Sequence, residues 1–258
     1  RAGGPGRLAR TLWDARMVEM RGPLELPARR EDIALHTLDG LTLVGELALP
    51  PVHEPVATLV TLHPLPTAGG FMDSHILRKA AARLPALADI AVLRFNTRGT
   101  SSPRGTSEGS FDGGHAERFD VAAAMEFVRE RGLPHPWLVG WSFGTELALK
   151  YGRDHDIDGA ILLSPPLHRA TEEEVAAWAG GPRKLVALIP ELDDYLRPEE
   201  AAKRFASVPD IKLIDVERGR HLWVGESQTR RVLTEIVAAV NPDALPLATE
   251  WDFTTTHP

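Results

Sequence analysis

The chain has no cysteine among its 258 residues. That absence excludes disulfides, thiolate nucleophiles and thiolate metal sites, and it fits a cytoplasmic protein. Long apolar runs are missing too: none approaches the ~20 residues that span a bilayer. The first twenty residues carry several arginines but no apolar signal-peptide region, and Asp14 and Glu19 interrupt them. An excess of positive charge is also lacking. The formal net charge is −7, which argues against nucleic acid as the principal partner. No internal repeat or low-complexity tract occurs. What is present is an ordinary globular composition, 43% hydrophobic and 25% charged, and a sizeable core follows from it.

The apolar pattern alternates between two periods. "DIALHTLDG" and "LTLVGELALP" flank Asp39-Gly40, a strong hairpin signal. "VATLVTLH" and "IAVLRFN" are continuous apolar runs, as expected of strands buried on both faces. Between them, residues 74–87 read as a helix. A long polar loop and a helix over residues 115–131 follow. "PWLVG", "DGAILLSPP", "RKLVALIP" and "IKLIDVE" continue as strands, with helices expected over 143–151, 199–206 and 227–240. A hairpin followed by alternating β and α units predicts an α/β fold. Its central sheet is mostly parallel, with an antiparallel N-terminal hairpin and helices on both faces. Chemistry in such sheets sits at the carboxyl ends of the strands. Residues 1–22 are expected to form an N-terminal arm, non-native or disordered, and residues 23–243 the domain. Residues 244–258 form a tail whose Leu245, Leu247, Trp251 and Phe253 lack helical period. That tail is expected to pack along the surface or on a neighbouring chain.

One strand-to-helix connection carries a chemical pattern. Gly140-Trp141-Ser142-Phe143-Gly144 matches G-x-S-x-G, the nucleophile elbow. The serine backbone is expected at positive φ, so that its hydroxyl leaves the sheet. Side chains at the flanking positions would strike the neighbouring strand and helix, hence the glycines. A serine hydroxyl needs a base, and the base needs an orienting acid. In sites of this pattern the acid and then the histidine follow the serine in the chain. His221 lies in the loop after the last strand, behind Gly219, and is the expected base. His155 precedes a strand, at the wrong end of the sheet, and His168 is placed to line the pocket. Asp193 is preferred as the acid, with its neighbour Asp194 as the alternative and Glu191 a distant third.

These residues carry a resemblance. The chain resembles an α/β-hydrolase over roughly residues 33–240. "TLHPLPTAGGFMDSH" and "LRFNTRGTSSPRGTSEG" are similar to loops of small lidless bacterial serine hydrolases, some related to dienelactone hydrolases. In that group the first central strand ends in His-Pro-His-Pro, followed by Gly-Gly-x-Met-Asp or Asn. The resemblance implies a Ser-His-Asp hydrolase with no cofactor. Two departures stand out: Leu65 replaces the second histidine, and Pro190-Glu191-Leu192 stands where the group has Gly-x-x before the acid.

The mechanism implied is acyl transfer through an acyl-enzyme on Ser142. Oxyanion donors are expected from the Phe143 N–H and from the loop after "VATLVTLH". Proline has no N–H, so Pro64 and Pro66 are excluded and Leu65 remains, at the group's usual donor position. The segment from Pro165 to Arg183 is where such proteins insert lids. Here it holds one short helix near residues 171–179, which predicts a minimal lid, an open cleft and a soluble substrate. Trp141, Phe71, Met72, Leu167, Trp178 and Trp223 are expected to line the cleft. His63 reads as a hydrogen-bonded structural histidine, and Arg98 and Gly99 as ordering the nearby loop. Asp112, His115, Glu117 and Asp120 read as a helix start, and no metal is expected. Gly69-Gly70 and Gly113-Gly114 read as turn glycines without a phosphate-loop pattern.

The expected partner is a small-molecule ester or thioester, with neither nucleic acid nor membrane, and oligomeric state is left open. An amide or peptide hydrolase of the same mechanism is the nearest alternative. A catalytically silent binding protein on the same scaffold is the alternative from another class. Serine at the elbow argues against haloalkane dehalogenases and epoxide hydrolases, which use aspartate there.

Overall fold

The computed structural model describes residues 17–253; residues 1–16 of the expected N-terminal arm and 254–258 of the tail lie outside the described residues. In chain order the elements are β1 (Met17–Glu19), β2 (Arg29–His36), β3 (Thr42–Leu49), β4 (Ala57–Leu62), α1 (His75–Ala88) and β5 (Ile90–Phe95). Then come β6 (Ser101–Ser102), β7 (Gly105–Thr106), α2 (Glu117–Glu130), β8 (Pro136–Trp141), α3 (Phe143–Tyr151) and β9 (Gly159–Leu163). The chain continues through α4 (Glu172–Ala176), β10 (Lys184–Pro190), α5 (Pro198–Arg204), β11 (Lys212–Val216), α6 (Glu226–Val240) and β12 (Glu250–Asp252).

Eight strands form one sheet in the order β11-β10-β9-β8-β4-β5-β3-β2. β2 and β3 are antiparallel, as are β3 and β5, while β5, β4, β8, β9, β10 and β11 run parallel. The parallel strands β4, β5 and β9 are buried at every position, which is why their sequences are unbroken apolar runs rather than alternations. Each face still takes alternate residues. Trp137, Val139 and Trp141 of β8 face the core beneath α1 and α6. Leu138 faces the core beneath α2 and α3. From β4 the chain first adds β5 on one side and later crosses to β8 on the other. That reversal opens a crevice between the carboxyl ends of β4 and β8, where open α/β sheets bind ligands.

The segment over residues 165–183 holds only the five-residue α4, closed by a Thr171–Glu174 capping box. It packs beside α3, where Lys150 pairs with Glu174 and Trp178 Nε1 donates to the Leu149 carbonyl, and forms no cap. β1 pairs antiparallel with β12, Val18 opposite Trp251, so the described part of the arm and the tail hold each other. Leu247 is buried against the α1/α6 side. No helix among the described residues is long and apolar enough to cross a membrane.

Candidate active site

Ser142 links β8 to α3 with φ 53° and ψ −114°, a conformation that side chains other than glycine adopt only under constraint. The constraint is visible on both sides. A Cβ on Gly144 would lie 1.9 Å from the Leu62 carbonyl oxygen, and one on Gly140 would lie 2.4 Å from the Gly144 carbonyl oxygen. The helix can therefore sit against the end of β4 only with glycine at both positions. The Ser142 N–H donates to the Leu163 carbonyl, and the Ser142 carbonyl accepts from the Thr145 N–H and hydroxyl. The turn is thus held while the hydroxyl stays free of the backbone.

Ser142 Oγ lies 2.8 Å from His221 Nε2, and His221 Nδ1 lies 2.9 Å from Asp193 Oδ2. The other Asp193 oxygen accepts from the Tyr195 and Leu196 N–H groups at 2.7 and 3.2 Å. Burial pushes the Asp193 carboxyl up, but its bonds to His221, Tyr195 and Leu196 outweigh this, and it lies below the ordinary carboxylate value. It stays ionised at neutral pH and can compensate a positive imidazole. Asp194 is exposed, and Glu191 accepts from the Arg218 N–H. The His221 backbone is fixed as well: its carbonyl accepts from Trp141 Nε1 and Ser164 Oγ, both at 3.1 Å. His75 Nε2 reaches the next carbonyl, that of Leu222, at 2.6 Å.

Phe143 opens α3, and Leu65 precedes the short turn over residues 66–68. Neither N–H has an intramolecular acceptor among the described residues. Leu62, three residues before Leu65, pairs with Gly140, two residues before Ser142. Both amides therefore belong to the same end of the crevice.

The expected apolar lining needs correction. Trp141, Met72, Leu167, Trp178 and Trp223 are all buried, between 0% and 4% exposed. The period-2 pattern of β8 turns Trp141 into the α1/α6 core, where its N–H holds His221 instead of meeting a ligand. Met72 and Trp223 are fully enclosed. Trp178 packs on Gly152, with its N–H on the Leu149 carbonyl. That is the far end of α3, about 13 Å of helix from Ser142. Phe71 alone of the six keeps partial exposure.

Other side chains occupy the rim. Tyr195, 57% exposed, sets its ring edge-on to His221 at 4.6 Å, and His168 sets its ring edge-on to Tyr195 at 5.5 Å. Leu222, 56% exposed, adjoins the histidine. Phe111 packs edge-on to Phe143 at 5.4 Å, and the Arg169 guanidinium lies over the Phe143 ring. Glu146 positions the His168 segment by accepting from the N–H groups of His168, Arg169 and Ala170. Tyr195 and Leu222 had a usable signal, being within two residues of the acid and the base in strand-end loops.

The acidic cluster of the 112–120 region is consumed locally. Glu117 accepts from the Asp112 and Gly114 N–H groups, and Asp112 from Ala116. Asp120 binds the Arg98 guanidinium and N–H, and Arg98 also grips Asp39 of the hairpin turn. His155 sits beyond α3, near the starts of the strands.

No family model matches the chain. An uncharacterized protein of Rickettsia prowazekii (strain Madrid E) is 31% identical over 114 residues, a match spanning 42% of this chain and 45% of that protein. The match thus spans less than half the length of that curated relative. Among solved structures, the chain is similar to an α/β serine hydrolase without a lid from Xanthomonas campestris (24% identity, TM-score 0.69, 87% of this chain and 99% of that one). It is similar to an α/β serine hydrolase homologue from Coxiella burnetii (21%, TM-score 0.70, 81% and 97%). A Pyrococcus furiosus esterase also matches (17%, TM-score 0.63, 83% and 93%). With its eight-stranded, mostly parallel sheet and its minimal lid, the chain has the α/β-hydrolase fold.

Proposed function

We propose that this protein is a serine hydrolase that cleaves a small ester or thioester through an acyl-enzyme on Ser142. The observation that carries the reading is the continuous hydrogen-bonded line from Ser142 Oγ through both nitrogens of His221 to Asp193. His221 takes the Ser142 proton as the oxygen attacks the carbonyl carbon, and Asp193 holds the imidazole in the tautomer that leaves Nε2 free to accept it. The resulting oxyanion takes hydrogen bonds from the Phe143 and Leu65 amides. Loss of one such donor typically costs about 3–4 kcal/mol in the transition state. His221 then returns the proton to the leaving oxygen or sulfur, and water repeats the sequence in reverse to release the acid. The hydrolases and esterases with the same fold support this chemistry. A crevice with no cap among the described residues favours a small dissolved substrate over a lipid aggregate.

The test is turnover of a panel of short p-nitrophenyl esters, acyl thioesters and aminoacyl amides by wild-type protein and Ser142→Ala. The expected result is hydrolysis of esters or thioesters well above amides, lost in the variant. Amides as the better substrates would move the reading to an amidase. Undiminished ester turnover by Ser142→Ala would refute it.

A further inference from the structure

We infer that His63 is a positioning residue that aims the Leu65 N–H at the oxyanion; the inference rests on the proposed role of Ser142. Leu65 lies between Pro64 and Pro66, so its N–H is the single amide donor in that tripeptide. The Pro64 carbonyl and the Leu65 N–H belong to one peptide plane, and in a trans peptide they point in opposite directions. Whatever fixes that carbonyl therefore fixes the direction of the N–H. His63 Nδ1 lies 2.7 Å from the Pro64 oxygen. A carbonyl only accepts, so Nδ1 carries the proton.

The imidazole is itself held in this state. Its Nε2 accepts from the Thr97 N–H at 3.0 Å and lies 3.1 Å from Thr97 Oγ1. Both contacts agree on one neutral tautomer, and the ring is 1% exposed. The other side of Leu65 is pinned as well: its carbonyl accepts from the Ala68 and Gly70 N–H groups at 3.0 and 2.9 Å. Gly70 comes so close that a Cβ there would lie 2.1 Å from the Pro64 oxygen. Of the polar backbone atoms from Pro64 to Leu65, the Leu65 N–H is left without an internal partner among the described residues. A donor fixed before the reaction, with no reorganisation left to make, is what oxyanion stabilisation requires.

Asparagine and glutamine separate the two ends of the ring. In His63→Asn the side-chain amide nitrogen falls near the Nδ1 position and can still donate to Pro64. In His63→Gln the amide reaches the Nε2 position and can serve Thr97 but not Pro64. With p-nitrophenyl butyrate, His63→Asn is expected to keep kcat within roughly 5-fold of wild type. His63→Gln is expected to lose about 30-fold or more in kcat, with KM changed less than 3-fold, at a melting temperature matching that of the Asn variant. Inhibition by a trifluoromethyl ketone, whose adduct places an oxyanion in the same position, should weaken in proportion to kcat/KM across the series. Equal kcat in the two variants, or ketone inhibition that does not follow kcat/KM, overturns the inference while leaving Ser142 as nucleophile. Wild-type protein with neither turnover nor ketone inhibition defeats the Ser142 reading itself, and this inference with it.

Discussion

At the scale of single residues, the site depends on how each polar atom is already occupied. Asp193 has one oxygen for His221 and the other for two backbone amides, so the imidazole tautomer is dictated and not chosen. Asp193→Asn should leave the fold intact and present an N–H where an acceptor is needed. A fall in kcat on the order of 10⁴ is expected, read from ester turnover at matched melting temperature; a fall of less than 10-fold would remove Asp193 from the mechanism. His63 makes a separate prediction on stability. Burial holds its pKa down at about 4, against 6.5 for the free side chain. The folded protein therefore binds fewer protons than the unfolded chain between those values. Its contribution is complete above pH 6.5 and is lost as pH falls toward 4. Between pH 7 and pH 5 this group alone removes about 2 kcal/mol of stability. Denaturant melts of His63→Asn should lose correspondingly less over that interval, and parallel pH profiles for the two proteins would contradict the assignment. Ser142, Asp193 and His221 were legible because each stands at a strand end in the order the chemistry needs. Leu65 could be singled out as the proposed donor because two prolines eliminate its neighbours. The cleft lining was not legible, since an aromatic side chain carries no mark of which way it faces. For Trp141 the mark did exist, in its period-2 register with Trp137 and Val139.

At the scale of elements, the elbow is a contact between a helix and a strand before it is a catalytic turn. α3 approaches β4 so closely that the Leu62 carbonyl fills the space a Gly144 side chain would need. Gly144→Ala is expected to push the helix away and lower the melting temperature on the order of 10 °C, with the proposed ester turnover lost alongside. Gly181→Ala, where the added methyl meets nothing closer than 4.0 Å, should leave both unchanged. A thermally neutral Gly144→Ala would show that the contact does not constrain the turn. The elements themselves were readable nearly throughout, because buried parallel strands announce themselves as apolar runs between helical periods. The ribbon of β6 and β7 was not. It is two residues per strand inside a polar loop, and no hydrophobic period can register at that length. The tail was equally silent. Its pairing with residues 17–19 joins opposite ends of the sequence, and nothing in either segment names the other.

At the scale of the whole molecule, the reversal of strand order at β4 brings together loops that are distant in sequence. The loop after β4 supplies Leu65, the turn after β8 supplies Ser142, and the loops after β10 and β11 supply Asp193 and His221. No cap among the described residues covers them, so the site should need no opening step. Hydrolysis of a sparingly soluble short-chain ester should follow simple saturation, without a jump in rate where the substrate passes its solubility limit. Such a jump would reveal a mobile cover. The proposed chemistry requires Ser142 to be the nucleophile, and intact-protein mass spectrometry after exposure to a fluorophosphonate, with peptide mapping of the adduct, tests this. One adduct per chain on Ser142, absent from Ser142→Ala, is the predicted result; correctly folded wild-type protein that takes no adduct, or a variant that still takes one, would contradict it.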